Sequence, residues 1–281
     1  MRPILVISGA TCTGKTALAV SLAKATGAVV VPLDQLQMYQ YLKEGVGLES
    51  SLLAEVTTDG YSILSPWQVF PPCAYVDWLE RIVTTHAVTK PVIIEGGCTS
   101  YFQMLLARAS TGSILSHAVI IALDIGDVTP VDLHTRIEQS CSEEKFDRIV
   151  KETELLSGMG FIKKDGLNFL LQCESLFVHP EHQDTTLAWA VRISAKVYYP
   201  AYSALLGLLP RSDARERLIR NAIDIHSYQR RRIRALLANA KIGHLVACQE
   251  LEEWKTRLQV YITDNDTPDG GTPKAYVASI P

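Results

Sequence analysis

The chain has 281 residues, 47% hydrophobic and 20% charged, a balance suited to one sizeable buried core with an appended subdomain. Its formal charge of −3 excludes a global attraction to nucleic acid or to an anionic membrane. The six cysteines (Cys12, Cys73, Cys98, Cys141, Cys173 and Cys248) form no C-x-x-C pair and have no His at zinc spacing, which excludes a zinc site and points to free thiols.

Pro3 to Ser8 is a short β-branched apolar run that predicts a buried strand. Thr16 to Gly27 is rich in Ala and Leu at helical spacing, with Gly27 as its C-cap. Between them, Gly9-Ala10-Thr11-Cys12-Thr13-Gly14-Lys15-Thr16 fits G-x-x-x-x-G-K-[ST]. Strand, glycine loop and helix N-terminus together make a phosphate cradle. Backbone N–H groups face the anion, Lys15 adds a point charge, and the Thr16 hydroxyl is placed to help hold Mg2+.

Ala28 to Leu33 predicts a second strand ending at Asp34, and Tyr75 to His86 a helix. A third strand, Pro91 to Ile94, ends at Glu95-Gly96-Gly97, and a fourth, His117 to Ile125, ends at Gly126-Asp127. Such alternation predicts an α/β fold, a P-loop NTPase-like parallel sheet flanked by helices. Thr11 to Thr16, Asp34 and Glu95 to Ser100 then converge on one crevice at the carboxyl ends of the strands.

Beyond about residue 130 the pattern turns helical, over Leu133 to Leu156, Leu167 to Phe177, Thr186 to Leu208 and Arg215 to Ala240. The expected organisation is a P-loop α/β core over 1–130, a mainly helical C-terminal part over 131–262, and a flexible tail over 263–281 that is rich in Pro and Gly. Arg211, Arg215, Arg217, Arg220, Arg230, Arg231, Arg232 and Arg234 crowd one stretch. Without interleaved aromatics as stacking platforms, they read as a charged helix face. His226 reads as structural, and Tyr198, Tyr199 and Tyr202 as helix packing. No charged leader and no apolar run of about 18 residues occur, so the expectation is a cytoplasmic protein with no membrane partner.

The P-loop alone suggests Mg2+-assisted phosphoryl transfer. There is no N-K-x-D guanine motif, and the third strand ends in Glu95 and two glycines rather than in Asp, which weighs against an NTPase motor or switch. A small-molecule kinase and a non-enzymatic binding module both stay open at this level.

Asp34-Gln35-Leu36-Gln37-Met38-Tyr39 places a carboxylate beside the phosphate loop, with Gln37 three residues on. With Gly9-x-Thr11 and Glu95-Gly96-Gly97-Cys98-Thr99-Ser100, this ordered triplet resembles the isopentenyl (dimethylallyl) transferase family, over roughly the first 110 residues. That family includes tRNA dimethylallyltransferases and the smaller adenylate isopentenyltransferases that make cytokinins.

The resemblance implies that the loop grips the diphosphate of dimethylallyl diphosphate while an amine attacks its allylic carbon. On this reading Asp34, Thr11 and Lys15 are catalytic. Gly9, Ala10, Cys12, Thr13, Gly14, Lys15, Thr16 and Arg136 bind diphosphate, and Mg2+ is the cofactor at Thr16. Asp34, Gln37, Gly97, Thr99, Ser100, Asp165 and Tyr228 face the acceptor, with the helical portion completing the acceptor and prenyl site. Gly45 to Ser50 lack the Arg-Pro common in the adenylate enzymes, which leaves another small-molecule amine open. The short, mildly acidic chain nevertheless favours a small acceptor, AMP or a related adenine nucleotide, over tRNA.

Overall fold

The computed structural model describes residues 1–65, 70, 72–126, 129–160, 162–163, 166–167, 186–240, 242–247 and 250–264. The first strand, β1 (Ile4–Gly9), is buried along its whole length, as a run of Ile, Leu and Val covered on both faces must be. The loop after it turns into α1 (Lys15–Thr26), which stops at Gly27 in the left-handed conformation (φ 69°), where the Gly27 N–H reaches Ala23 O. Then follow β2 (Val29–Pro32), a single 3-10 turn over Leu36–Met38, the short α2 (Ser50–Leu53), α3 (Pro72–His86), β3 (Val92–Gly96), α4 (Thr99–Ala109) and β4 (Val119–Asp124).

The helical half opens with α5 (Pro130–Ser140) and α6 (Glu143–Gly158). One helix was expected from Leu133 to Leu156; the chain forms two because Ser142 is extended (ψ 161°) and its hydroxyl accepts the Lys145 N–H as an N-cap. A two-residue antiparallel pair follows, β5 (Ile162–Lys163) with β6 (Gly166–Leu167). The expected helix over Leu167 to Phe177 lies outside the described residues except for Leu167, which belongs to β6. Two long helices complete this half, α7 (Thr186–Leu205) and α8 (Arg211–Ala240), the latter beginning directly after Pro210.

The chain then returns to the sheet. β7 (His244–Ala247) pairs parallel with β4, Ile121 opposite His244, and α9 (Leu251–Asp264) packs against α1. The segment expected within a helical portion therefore supplies the fifth strand and a covering helix of the α/β core. Four residues are too few to display a strand pattern, and what makes them a strand is the edge that β4 offers.

All five strands of the main sheet run parallel in the order β2-β3-β1-β4-β7. The pleat sends Ile4 and Val6 to one face, against residues of α3, α4 and α8 such as Leu79, Phe102 and Leu236. Leu5 and Ile7 go to the other, against Leu18 and Leu22 of α1 and Trp254 and Leu258 of α9. This parallel sheet flanked by helices is the expected fold class. With β1 between β3 and β4, the loops leaving β1, β2 and β3 open at one edge, where ligands bind in such sheets. Among the described residues no helix is long and apolar enough to cross a membrane, and Cys12, Cys98 and Cys141 carry free thiols.

Candidate active site at the phosphate loop

β1 ends at Gly9 (φ 153°), where a Cβ would lie 2.8 Å from both Leu123 O and Thr13 Oγ1, so only glycine lets the loop leave between β1 and β4. Cys12 (φ 62°) and Gly14 (φ 84°) are left-handed, which curls the loop around the start of α1. Thr13 Oγ1 and Lys15 Nζ both donate to Ala10 O, at 2.9 and 2.7 Å, and stiffen the curl from within. Burial lowers the Lys15 pKa, while Glu95, Cys12 and Asp34 oppose that shift.

Glu95 is 1% exposed at the end of β3. It accepts hydrogen bonds from Thr16 Oγ1 at 3.3 Å and Tyr61 Oη at 3.0 Å. Burial raises its pKa, against the opposite pull of Lys15, Tyr61 and Thr16. Among the described residues no cluster of three or more His, Cys, Asp or Glu could cage a metal. Thr16 and Glu95 do offer one hydroxyl and one carboxylate side by side. That donor set fits Mg2+, which takes few protein ligands and fills its shell with substrate phosphate and water.

Asp34 stands just past β2, its Oδ1 accepting the Leu36 N–H at 2.9 Å. Burial pushes its carboxyl up to about 6, with Glu95 adding to the rise and the Leu36 N–H and Lys15 opposing it. Two turns of α8 clamp the loop from the other side. His226 donates from Nδ1 to Thr11 O at 2.7 Å, and burial lowers its pKa, so the ring is neutral at neutral pH. Gln229 accepts the Thr11 N–H on Oε1 at 2.8 Å and donates from Nε2 to Gly97 O at 2.9 Å. One amide thus ties the phosphate loop to the turn after β3. Replacing Gln229 with Ala strands both backbone groups, and chemical unfolding should show a loss of about 2–4 kcal/mol. Calorimetry with inorganic pyrophosphate should show binding weakened roughly tenfold.

These groups meet in a cleft of about 240 Å3. Of the residues singled out in the sequence, Thr11, Cys12, Gly14, Lys15, Thr16, Asp34, Gln37 and Gly97 line it. Gly9, Ala10 and Thr13 shape the loop from behind. Thr99 is buried at the first position of α4 and Ser100 half-buried beside it, and neither lines the cleft.

Arg136 does not reach the cleft. It lies on the exposed side of α5, one residue before the buried Ile137, and α5 presents its end, Ser140, instead. The basic side chain on that wall is Lys145 of α6. Tyr228 is 37% exposed and outside the cleft. A helix rotates by about 100° per residue, so Tyr228 and its neighbour Gln229 cannot face the same way. Asp165 lies outside the described residues.

Gln229 was not singled out in the sequence, and His226, read as structural, serves by holding the loop itself. They occupy polar places in an otherwise apolar buried stripe of α8 that includes Ile219, Ile233 and Leu236. That break in the pattern is the signal that could have found them.

A glycine loop between β1 and α1, a parallel sheet and a carboxylate beside the loop define a P-loop-like α/β protein. The isopentenyl transferase family model matches residues 2–152, more than half of the chain, and the chain belongs to that family. It is 30% identical to a tRNA dimethylallyltransferase of Desulfotalea psychrophila over 142 residues, which are 49% of this chain and 45% of that protein. To an adenylate dimethylallyltransferase of Allorhizobium ampelinum it is 36% identical over 102 residues, 35% of this chain and 43% of that one. The chain thus spans less than half the length of these curated relatives.

Two solved structures share the fold. The tRNA delta(2)-isopentenylpyrophosphate transferase from Staphylococcus epidermidis superposes with a TM-score of 0.53 at 15% identity, covering 94% of this chain and all of that one. A eukaryotic dimethylallyltransferase acting on tRNA gives 0.59 at 14% identity, covering 98% and 83%.

Proposed function

We infer that the protein transfers a dimethylallyl group from dimethylallyl diphosphate to the exocyclic amine of an adenine nucleotide, AMP or a close relative, and releases diphosphate. The observation that carries this reading is that Asp34 and the phosphate loop share one cleft. Alkyl transfer to an amine needs a grip on the leaving diphosphate and a proton acceptor near the attacking nitrogen, and the cleft supplies both. The preference over phosphoryl transfer, which can use the same pair, rests on the family match.

In the reaction the amine lone pair forms the new C–N bond at the allylic carbon. The C–O bond to diphosphate breaks and its electron pair leaves with diphosphate. The amine proton passes to Asp34 and then to water. Lys15 and the loop N–H groups stabilise the charge that grows on the leaving oxygens. In this reading the Thr11 hydroxyl, on the cleft wall, donates to the diphosphate near the scissile oxygen. Glu95 holds the Thr16 hydroxyl and balances the Lys15 charge. Thr16 and Glu95 would hold Mg2+, which would supply further positive charge to the leaving group.

The preference for a small acceptor rests on where the arginines of α8 spend their charge. Arg230 and Arg234 both bind Asp124, at 2.7 and 2.5 Å. Burial alone would raise the Asp124 carboxyl, but these two guanidinium groups and the Gly126 N–H hold it below its ordinary value. Arg211 pairs with Asp147, Arg215 with Glu143 at 3.4 Å, and Arg220 with Glu216 at 3.6 Å. Arg230 and Arg234 are committed to a buried carboxylate and little available to a polynucleotide backbone, whereas Arg211, Arg215 and Arg220 pair only with exposed carboxylates, which hold their charge weakly.

The second reading is a tRNA acceptor. It is favoured by the names of the tRNA-modifying relatives and by a fold likeness that runs the length of the chain. Mass spectrometry after incubation with dimethylallyl diphosphate, Mg2+ and AMP, ADP, ATP or tRNA separates the two. A gain of one prenyl unit on AMP is the expected result, and a gain on tRNA alone overturns the small-acceptor reading. Phosphorylation of a small molecule by ATP, without prenyl transfer, overturns both.

A further inference from the structure

Besides the phosphate loop, the chain over residues 44–47 lines the cleft, with Glu44, Gly45, Val46 and Gly47 all facing the cavity. This stretch has no helix or strand, only turn hydrogen bonds from Gly47 N–H to Glu44 O at 3.3 Å and from Leu48 N–H to Lys43 O at 2.9 Å. The N–H groups of residues 43–45 converge on one carboxylate, Glu152 of α6. Lys43 N–H and Glu44 N–H reach Glu152 Oε2 at 3.0 and 2.7 Å, and Gly45 N–H reaches Oε1 at 3.2 Å. Tyr198 of α7, buried at 1% exposure, donates its hydroxyl to the same Oε1 at 2.5 Å. Three successive amides around an anion form a nest of the kind that binds phosphate, and here the anion is part of the protein. Hydrogen bonds to an ionised acceptor are the stronger class.

We propose that Glu152, fixed by Tyr198, is a positioning residue that sets the acceptor-side wall of the cleft by clamping residues 43–45 onto the helical half. The wall is tied to the acceptor side because Gln37 donates from Nε2 to Val46 O at 3.4 Å, one residue beyond the clamped amides. Gly45 is part of the device. A Cβ there would fall 2.5 Å from Tyr198 Cζ and 2.7 Å from its hydroxyl oxygen, so any larger residue pushes Tyr198 off Glu152. The clamp joins a loop of the α/β core to two helices more than a hundred residues downstream. It rests on the reading of the cleft as a prenyl-transfer site only in assigning the wall to the acceptor.

The test uses the full chain and the variant Glu152→Gln, which keeps the size of the side chain but turns one acceptor oxygen into a donor facing donors. Amide hydrogen exchange at residues 43–45 is expected to quicken by about tenfold or more, with the phosphate loop unchanged. Unaltered exchange overturns the clamp, whether or not the protein turns over any acceptor. In steady-state kinetics the acceptor KM is expected to rise about tenfold, with the dimethylallyl diphosphate KM and kcat within about twofold of the parent. A fall in kcat at unchanged acceptor KM overturns the assignment to acceptor positioning. Tyr198→Phe, which removes only the hydroxyl, should shift both readouts in the same direction by less, and Gly45→Ala should reproduce Glu152→Gln. If these two variants behave like the parent protein, the clamp is overturned as well. Failure of the parent protein to prenylate anything would refute the proposed function and leave the exchange result to decide the clamp.

Discussion

Asp34→Asn is expected to lower kcat by about 10²–10⁴-fold, the usual size of a lost general base, while dimethylallyl diphosphate still binds with its original affinity. The amide keeps the shape of the side chain and can still accept the Leu36 N–H, so the loss isolates proton acceptance. Turnover of the variant at the parental rate would remove Asp34 from the mechanism. In the proposed role the working form is the carboxylate, whose pKa burial pushes up to about 6. The rate of the parent protein should therefore climb with pH and level off above about 6.

The same shift acts on stability with the opposite sign. The folded chain holds the Asp34 proton more tightly than the unfolded chain does. This contribution to stability is fully present below the ordinary value of 3.8 and is lost as pH rises through about 6. At neutral pH the charged carboxylate is thus a cost to the fold, and Asn removes it. Thermal or urea unfolding at pH 7 should find Asp34→Asn more stable, by on the order of 2–3 kcal/mol. A variant that is both inactive and stabilised is the signature of a group held in place for chemistry rather than for folding.

Lys15→Met is the second large effect. Removing one preorganised donor from a developing oxyanion typically costs about 10²–10³-fold in kcat, and in the proposed reaction the Lys15 ammonium stabilises the leaving group. Unlike Asp34→Asn, this variant should also bind inorganic pyrophosphate more weakly, as titration calorimetry would show. It carries a further readout. Lys15 lowers the pKa of both Asp34 and Glu95. With the ammonium gone, the acid limb of the residual pH–rate profile should move above its parental midpoint of about 6. A profile that stays in place would mean that Lys15 and Asp34 do not share one field, contrary to the single cleft they line.

The part of the site closest to the phosphate was legible because its chemistry is written in consecutive residues. A loop whose amides must converge needs Gly9 and Gly14 at fixed spacing, a strand before it and a helix after it, and all of these lie within the first 27 residues. Asp34 and Glu95 were legible for a related reason: a parallel sheet sends the carboxyl ends of its strands to one edge, so residues just past strand ends can be placed without knowing the packing. The helical half offered no such shortcut. A helix has one inward face, and choosing between Tyr228 and Gln229, or between Arg136 and Lys145, requires knowing how α5, α6 and α8 are rotated against the sheet. That rotation follows from the sum of many apolar contacts, and no single motif encodes it.

By itself, then, the sequence determined the α/β class, the glycine loop of Gly9 to Thr16 and the place of the Asp34 carboxylate beside it, because local spacing and strand direction suffice to place them. Only the tertiary structure decided that His226 and Gln229 hold the Thr11 peptide, that His244–Ala247 completes the sheet, and that Glu152 gathers the amides of residues 43–45. Each of these joins groups far apart in the chain, and each forms because a buried or half-buried polar group must find its partner wherever packing brings one within reach.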